Sequence, residues 1–317
     1  MHGRGRGGPG GAALSAIARR RLLPIGSALY LAVIFGVMLW RGVSIEPQWV
    51  VLALLLIALA VGRGKQFIFD WLPFLVLFLA YEMMRGFATK TGFAPHDVGA
   101  LETWLFDGHL PTVWLQHALY RPAQIMLWDW LAMGIYFMHF ALPIAVGFIF
   151  WLRDRERYWR FMGALLLMSF LAFVFYLFFP SAPPWHQYPG EVHKIIDETI
   201  HKWGVAYYVS PVYTNVNPNQ FAAFPSLHAA FPTLAAIYAW GYGRWLAVVL
   251  AGWAAGVWFA IVYLGEHYVV DALFGLCFVA GSVLLVQLIS TRLARGVELR
   301  RQAARSEERD EAGSLTR

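Results

Sequence analysis

Long uninterrupted apolar runs, separated by short polar links, dominate the chain. Eight are legible, at 24–41, 48–62, 66–86, 124–152, 161–180, 221–241, 244–263 and 268–290. A bilayer core about 30 Å thick is crossed by roughly 20 apolar residues in a helix. The runs are continuously apolar and do not alternate with period two, so they predict helices and not the strands of a barrel. Gly and Pro inside them fit this reading, since membrane helices carry more of both than soluble ones. The predicted fold is all-α, a polytopic membrane helix bundle of about eight transmembrane helices. Composition agrees: 59% of residues are hydrophobic and 14% charged, against about 25% charged in a soluble domain.

The polar remainder sets the topology. The N-terminal stretch "MHGRGRGGPGGAALSAIARRRLLP" is rich in Gly and Arg, a composition that predicts disorder over residues 1–23. The long apolar run after it has no small-residue cleavage site, which predicts an uncleaved first span. Eight spans put both termini on one side, together with the links "GRGK", "RDRERYWR" and "GYGR". Nineteen of the 25 Lys and Arg residues fall on that side and six on the other. The bias predicts that the basic side is cytoplasmic, in a protein integral to the plasma membrane. The net charge of +6 is then topological, and no basic stripe on a folded domain points to nucleic acid. The single cysteine, Cys277, rules out an internal disulfide. Nothing in the pattern fixes an oligomeric state.

Three connections lie on the opposite side: 87–123, 181–220 and the short turn "YLGEH". The two long ones hold many aromatic, His, Pro and Asn residues and predict structured caps at the membrane interface. Two spans running inward from this side each start with a histidine, in "FPSLH" and "GEHYVVD". In the first, Pro225 suits an opening helical turn, and the amides of Ser226, Leu227 and His228 face outward as an anion site. In the second, His267 and Asp271 are four residues apart and share a helix face. The carboxylate can take the proton on one imidazole nitrogen and leave the other as a nucleophile or base. Two histidines, a carboxylate and an anion cradle are the parts of phosphoryl transfer through a phosphohistidine.

"FPSLHAA" and, some forty residues later, "VYLGEHYVVDALFG" resemble the second and third motifs of the type 2 phosphatidic acid phosphatase superfamily, usually written PSxH and SRxxxxxHxxxD. The pattern is more similar to the branch containing fungal inositol phosphorylceramide synthases and sphingomyelin synthases. The resemblance implies a six-helix catalytic domain over 66–291. Two accessory helices at 24–65 would precede it and a charged cytoplasmic tail at 292–317 would follow. It implies His267 as nucleophile, Asp271 as its orienting group, His228 as the acid that protonates the leaving group, and Ser226 as a phosphate ligand. Ala260 and Ile261 stand where the phosphatases carry Ser-Arg. The first motif, KxxxxxxRP, keeps Arg121 and Pro122 but has Trp114 in place of lysine. Phosphoryl oxygens still need positive charge, and Arg85 and Arg121 are the candidates on the outer side. Tyr136 and His139, in "GIYFMHF", are candidate cavity residues. The missing Ser-Arg pair pulls the expectation toward a transferase. It would move a phospho-headgroup from a phospholipid to a lipid or polyol hydroxyl, using membrane lipids as substrates and no cofactor or metal. A lipid phosphate phosphatase that uses water is the alternative within the class. A transporter with a His/Asp proton relay, or a silent lipid-binding relative, is the alternative outside it. A zinc held by His228, His267 and Asp271 is the chemical rival to phosphohistidine.

Overall fold

The computed structural model describes residues 47–85, 93–202 and 221–315, and the predicted span 24–41 lies outside them. The described chain is helical, with only isolated β-bridges besides. Helices α1 (Pro47–Ala60) and α2 (Gly64–Arg85) form a hairpin; α3 (Gly99–Leu105) and α4 (Pro111–Leu119) are short. Next come α5 (Leu127–Met138), α6 (Ala141–Arg153) and α7 (Arg155–Phe178), then the short α8 (Pro184–Gln187) and α9 (Ile195–Lys202). The last three are α10 (Leu227–Trp240), α11 (Arg244–Tyr263) and α12 (Val269–Leu315). Among the described residues, four helices are long and apolar enough to cross a membrane: α2, α7, α11 and α12. The pair α5–α6 makes a fifth span if counted as one, bent by 48°.

That bend departs from the unbroken span expected over 124–152. Pro143 explains it. Proline has no N–H for the helical bond to the carbonyl of His139, and its ring crowds that carbonyl. The helix therefore stops at Met138 and restarts at Ala141. The His139 ring fills the gap, its Nδ1–H donating to the Tyr136 carbonyl at 2.6 Å. The span expected at 221–241 is also shortened. Residues 221–226 are not helical, because Ser226 caps the helix with a side-chain oxygen that accepts the Ala229 N–H at 3.3 Å. Serine at this position typically contributes about 1 kcal/mol relative to alanine.

The two ends of the bundle differ in chemistry. At one, Arg63 in the α1–α2 link and Arg155 and Arg157 in the first turn of α7 tie helix ends together. Arg157 donates to the carbonyls of Tyr238 and Gly241 and to Asp154, which caps α7. The buried Asp70 accepts from Trp151 Nε1 at 2.8 Å and from Arg155 at 2.5 Å. At the other end lies a cap built from α3, α4, α8 and α9. Gln116 pins it to the bundle. Its Nε2 donates to the carbonyls of His193 and Tyr263, both at 2.9 Å, and its Oε1 accepts the His193 N–H at 2.7 Å. Between the ends, aromatic rings fill the core; Phe67, Trp71, Phe78, Phe140 and Tyr158 are all buried in one cluster.

Candidate active site

Both histidine-bearing helix starts lie under the cap. The segment leading into α10 is held by Ser181, which is buried. Ser181 N–H donates to the Phe221 carbonyl at 2.8 Å, and its hydroxyl oxygen accepts the Phe224 N–H at 2.7 Å. The start of α12 follows the turn at Gly265, whose φ is +80° and whose missing side chain leaves room for the His193 carbonyl. A Cβ there would stand 2.8 Å from that oxygen. Trp185 N–H closes the same turn by donating to the Gly265 carbonyl at 3.2 Å.

The two helix starts meet directly. His267 Nδ1 is 3.1 Å from Asp271 Oδ2, and its Nε2 is 3.0 Å from His228 Nδ1. An ionised Asp271 can only accept, so His267 Nδ1 carries the proton of that bond. With both rings neutral, Nε2 of His267 holds a lone pair and receives the Nδ1–H of His228. Asp271 Oδ2 also accepts the Tyr268 N–H at 2.9 Å, and the Asp271 carbonyl accepts the Ser226 N–H at 3.0 Å. The carboxylate that orients His267 is thus locked to the cap of the opposite helix. His267 and Asp271 are buried, 4% and 0% exposed, whereas His228 is partly exposed. Asp271 and His228 address opposite nitrogens of one ring, so the three groups form a line through His267 and do not converge on a shared point. Among the described residues, no group of three or more His, Cys, Asp or Glu side chains is disposed to hold a metal ion.

Tyr136 and His139, placed by the kink between α5 and α6, form the other wall. The Tyr136 ring stacks on His228 at 4.8 Å and 16°, and the His139 ring lies 4.0 Å from it. Ser226 is fully buried, and its hydroxyl is engaged as the α10 cap. Arg121 stands elsewhere. Its guanidinium donates to the carbonyls of His117, Ala118 and Tyr120 at the end of α4, and none of these hydrogen bonds reaches His228 or His267. The Arg85 side chain lies outside the described residues.

Sequence reasoning missed Glu102. This α3 residue is 0% exposed, and its Oε2 accepts the Val270 N–H in the first turn of α12 at 3.0 Å. Burial raises its pKa to about 7; the Val270 hydrogen bond pulls it back, and the charge of Asp271 pushes it further up. Tyr268 and Tyr188 stand near the same carboxyl, with pKa values raised by burial, as does Asp97 beside Tyr188. A folded-state value above the ordinary 4.5 means that the folded protein holds the proton more tightly. The associated stability is present below about pH 4.5 and lost as pH rises through about 7. The thermal midpoint of the wild type should therefore fall, relative to that of Glu102→Gln, between about pH 5 and 8. Parallel pH profiles in a melting assay would show that Glu102 does not titrate in this range.

A cleft of about 870 Å³ lies on the cap, lined by residues such as Thr103, His109, Trp114, Tyr188 and Glu191, and contains none of His228, His267 and Asp271. A second groove of about 580 Å³ runs between α7 and α12, with Leu171, Phe175, Phe178 and Phe278 on its walls.

A helical membrane bundle that pairs two imidazoles and a carboxylate across two helix starts is the architecture of a known class. The chain belongs to the PAP2 superfamily, whose family model matches residues 97–285. It is a lipid phosphotransferase or phosphatase of the membrane. Within that class it is similar to the phosphoinositol dihydroceramide synthase of Bacteroides thetaiotaomicron, with 32% identity over 232 residues, covering 65% of this chain and 72% of the relative. No solved structure matches it.

Proposed function

We propose that this protein transfers a phosphorylated polyol headgroup from a glycerophospholipid to the hydroxyl of a ceramide-like lipid, through a phosphohistidine on His267. The observation that carries the reading is the line Asp271–His267–His228, with separations of 3.1 and 3.0 Å. The name of the Bacteroides relative supplies the phosphoinositol group and the ceramide-type acceptor, and the phospholipid donor follows the expectation drawn from the sequence.

In the first half-reaction, Nε2 of His267 attacks phosphorus in line, and the bond from phosphorus to the diacylglycerol oxygen breaks. His228, charged as an imidazolium once it has parted from His267, gives one proton to that oxygen and becomes neutral, and Asp271 stabilises the positive charge left on the His267 ring. In the second, His228 takes the proton of the acceptor hydroxyl. The acceptor oxygen bonds to phosphorus, the P–N bond breaks, and the lone pair returns to Nε2. A 3.0 Å contact between the rings leaves no room for a phosphoryl group, so substrate must part them. His228, the more exposed ring, is the one that moves. The amides of Leu227 and His228, at the N-terminus of α10, are donors for the phosphoryl oxygens. The groove between α7 and α12 suits an acyl chain, and its Phe175 packs against Phe224, two residues before Ser226. The excess of basic residues at the other end of the bundle orients the site to the non-cytoplasmic face, with the protein in the plasma membrane.

Purified protein in detergent, given an inositol-bearing glycerophospholipid and a ceramide, should release diacylglycerol and form phosphoinositol ceramide in equal amounts. Diacylglycerol with free inositol phosphate would mean that water is the acceptor. Product in neither form, across a mixed lipid extract, would remove the enzymatic reading and favour a transporter. Orthovanadate, which adopts the geometry of a transferring phosphoryl group, should inhibit turnover, and strong chelators should not. The reverse pattern would support a metal-based route.

A further inference from the structure

Glu102 takes no part in the steps above, yet it is the cap residue that reaches the catalytic helix most directly. Helix α12 starts at Val269, and the residues ahead of it, Glu266, His267 and Tyr268, include none of the usual capping types Ser, Thr, Asn or Asp. Its first amides therefore need acceptors from elsewhere. Asp271 supplies one by turning back to the Tyr268 N–H at 2.9 Å. Glu102 supplies another, two residues on, for the Val270 N–H at 3.0 Å, from 168 residues away in sequence. Val270 is the immediate neighbour of Asp271, and both are buried. Glu102 thus fixes the peptide adjoining the carboxylate that orients His267.

We infer that Glu102 is a positioning residue for the His267–Asp271 pair, holding the first turn of α12 at the height where Asp271 meets His267 Nδ1. The contribution lies in the reach of an acceptor oxygen and not in its charge. Glu102 Oε1 is buried and has no hydrogen-bond partner, as is Asp271 Oδ1. A second negative charge beside Asp271 adds no bond and is disfavoured by burial. If the Val270 N–H loses its acceptor, the turn relaxes and Asp271 moves with it. A displacement of about 1 Å at a reacting centre costs on the order of a hundredfold in rate.

Three substitutions separate reach from charge. Glu102→Gln keeps an oxygen at the same distance without charge, Glu102→Asp keeps the charge but is one methylene short, and Glu102→Ala removes both. In the transfer assay above, the Gln form should keep kcat within about threefold. The Asp and Ala forms should lose on the order of a hundredfold in kcat with little change in KM. An Asp form as active as the Gln form, or more so, overturns the inference, and this comparison holds even if the Ala form does not fold.

The activity arm rests on the proposed transfer reaction, so a second readout is independent of it. In protein labelled with ¹⁵N-histidine, the His267 Nδ1–H resonance should stay in place in the Gln form and shift or broaden in the Asp form. An unchanged resonance in both variants overturns the inference. A wild type that turns over no lipid removes the function alone and leaves the resonance to decide.

Discussion

His267→Ala should reduce headgroup transfer to background, a loss on the order of 10⁴-fold or more, as expected when a covalent nucleophile is removed. The ring is buried and held on both nitrogens, by Asp271 at 3.1 Å and His228 at 3.0 Å. No other imidazole occupies its place between them. His228→Ala should also be severe, on the order of 10² to 10⁴-fold, the usual range for a general acid–base group. The two losses should differ in kind. A donor whose leaving group is a nitrophenolate departs without a proton. With it, the first half-reaction of His228→Ala should recover toward wild type, while His267→Ala stays inactive. Release of nitrophenol in a single-turnover experiment reads this directly. Asp271→Asn should sit near the His228 variant, because an amide can present its N–H to Nδ1 and favour the wrong tautomer. Full turnover by a folded His267→Ala protein would end the phosphohistidine mechanism. Equal rescue of both histidine variants would show that the roles given to the two rings are wrong.

The pairing of His228 with His267 was legible because both residues open helices that run in the same direction from the same face, and direction follows from counting apolar runs. Asp271 was legible from its four-residue spacing. The kink between α5 and α6 had a signal too, since Pro143 removes the amide that would bond His139, but the apolar run hid it. Tyr136 and His139 were singled out as polar residues in a span. Their stacking on His228 depends on that kink and could not be derived without it.

That the two long connections form a cap was legible from their aromatic, His and Pro content, but the contacts by which the cap holds the site were not, for a different reason. Ser181, Gln116 and Glu102 act on backbone groups 43, 77 to 147 and 168 residues away. Periodicity carries no information about such partners. The sequence of α12 does contain half of the answer, in that a helix start without its own cap must borrow acceptors. It does not say from which residue. The cations are the remaining gap. Arg121 was offered for the phosphate because it sits in a remnant of the first family motif, and its guanidinium donates to carbonyls at the end of α4. Donors from the α10 N-terminus carry more of the phosphate binding in the proposed mechanism than the motif comparison suggested.

Gly275→Ala should lower transfer on the order of a hundredfold while leaving the protein folded. Gly275 lies one turn beyond Asp271 on α12 and faces the first turn of α10. A Cβ added there would stand 2.7 Å from the Ser226 carbonyl oxygen and 3.7 Å from the Ala230 Cβ. The oxygen cannot swing aside, because it is backbone and accepts the Ala230 N–H at 3.2 Å. One helix must therefore move relative to the other. His228 is carried by α10, whereas His267 and Asp271 belong to the start of α12, so the shift of about 0.7 Å that restores ordinary contact falls directly on the 3.0 Å contact between the rings. Stability should change less than activity. Alanine gains up to about 1 kcal/mol over glycine inside a helix, which offsets much of the roughly 1–3 kcal/mol that overpacking costs. Gly296→Ala is the matched control on the same helix, because a Cβ there meets nothing within 4 Å, and it should leave kcat unchanged. If Gly275→Ala turns over like the control, the close approach of α10 and α12 serves packing alone, and alignment of the two histidines must come from the cap.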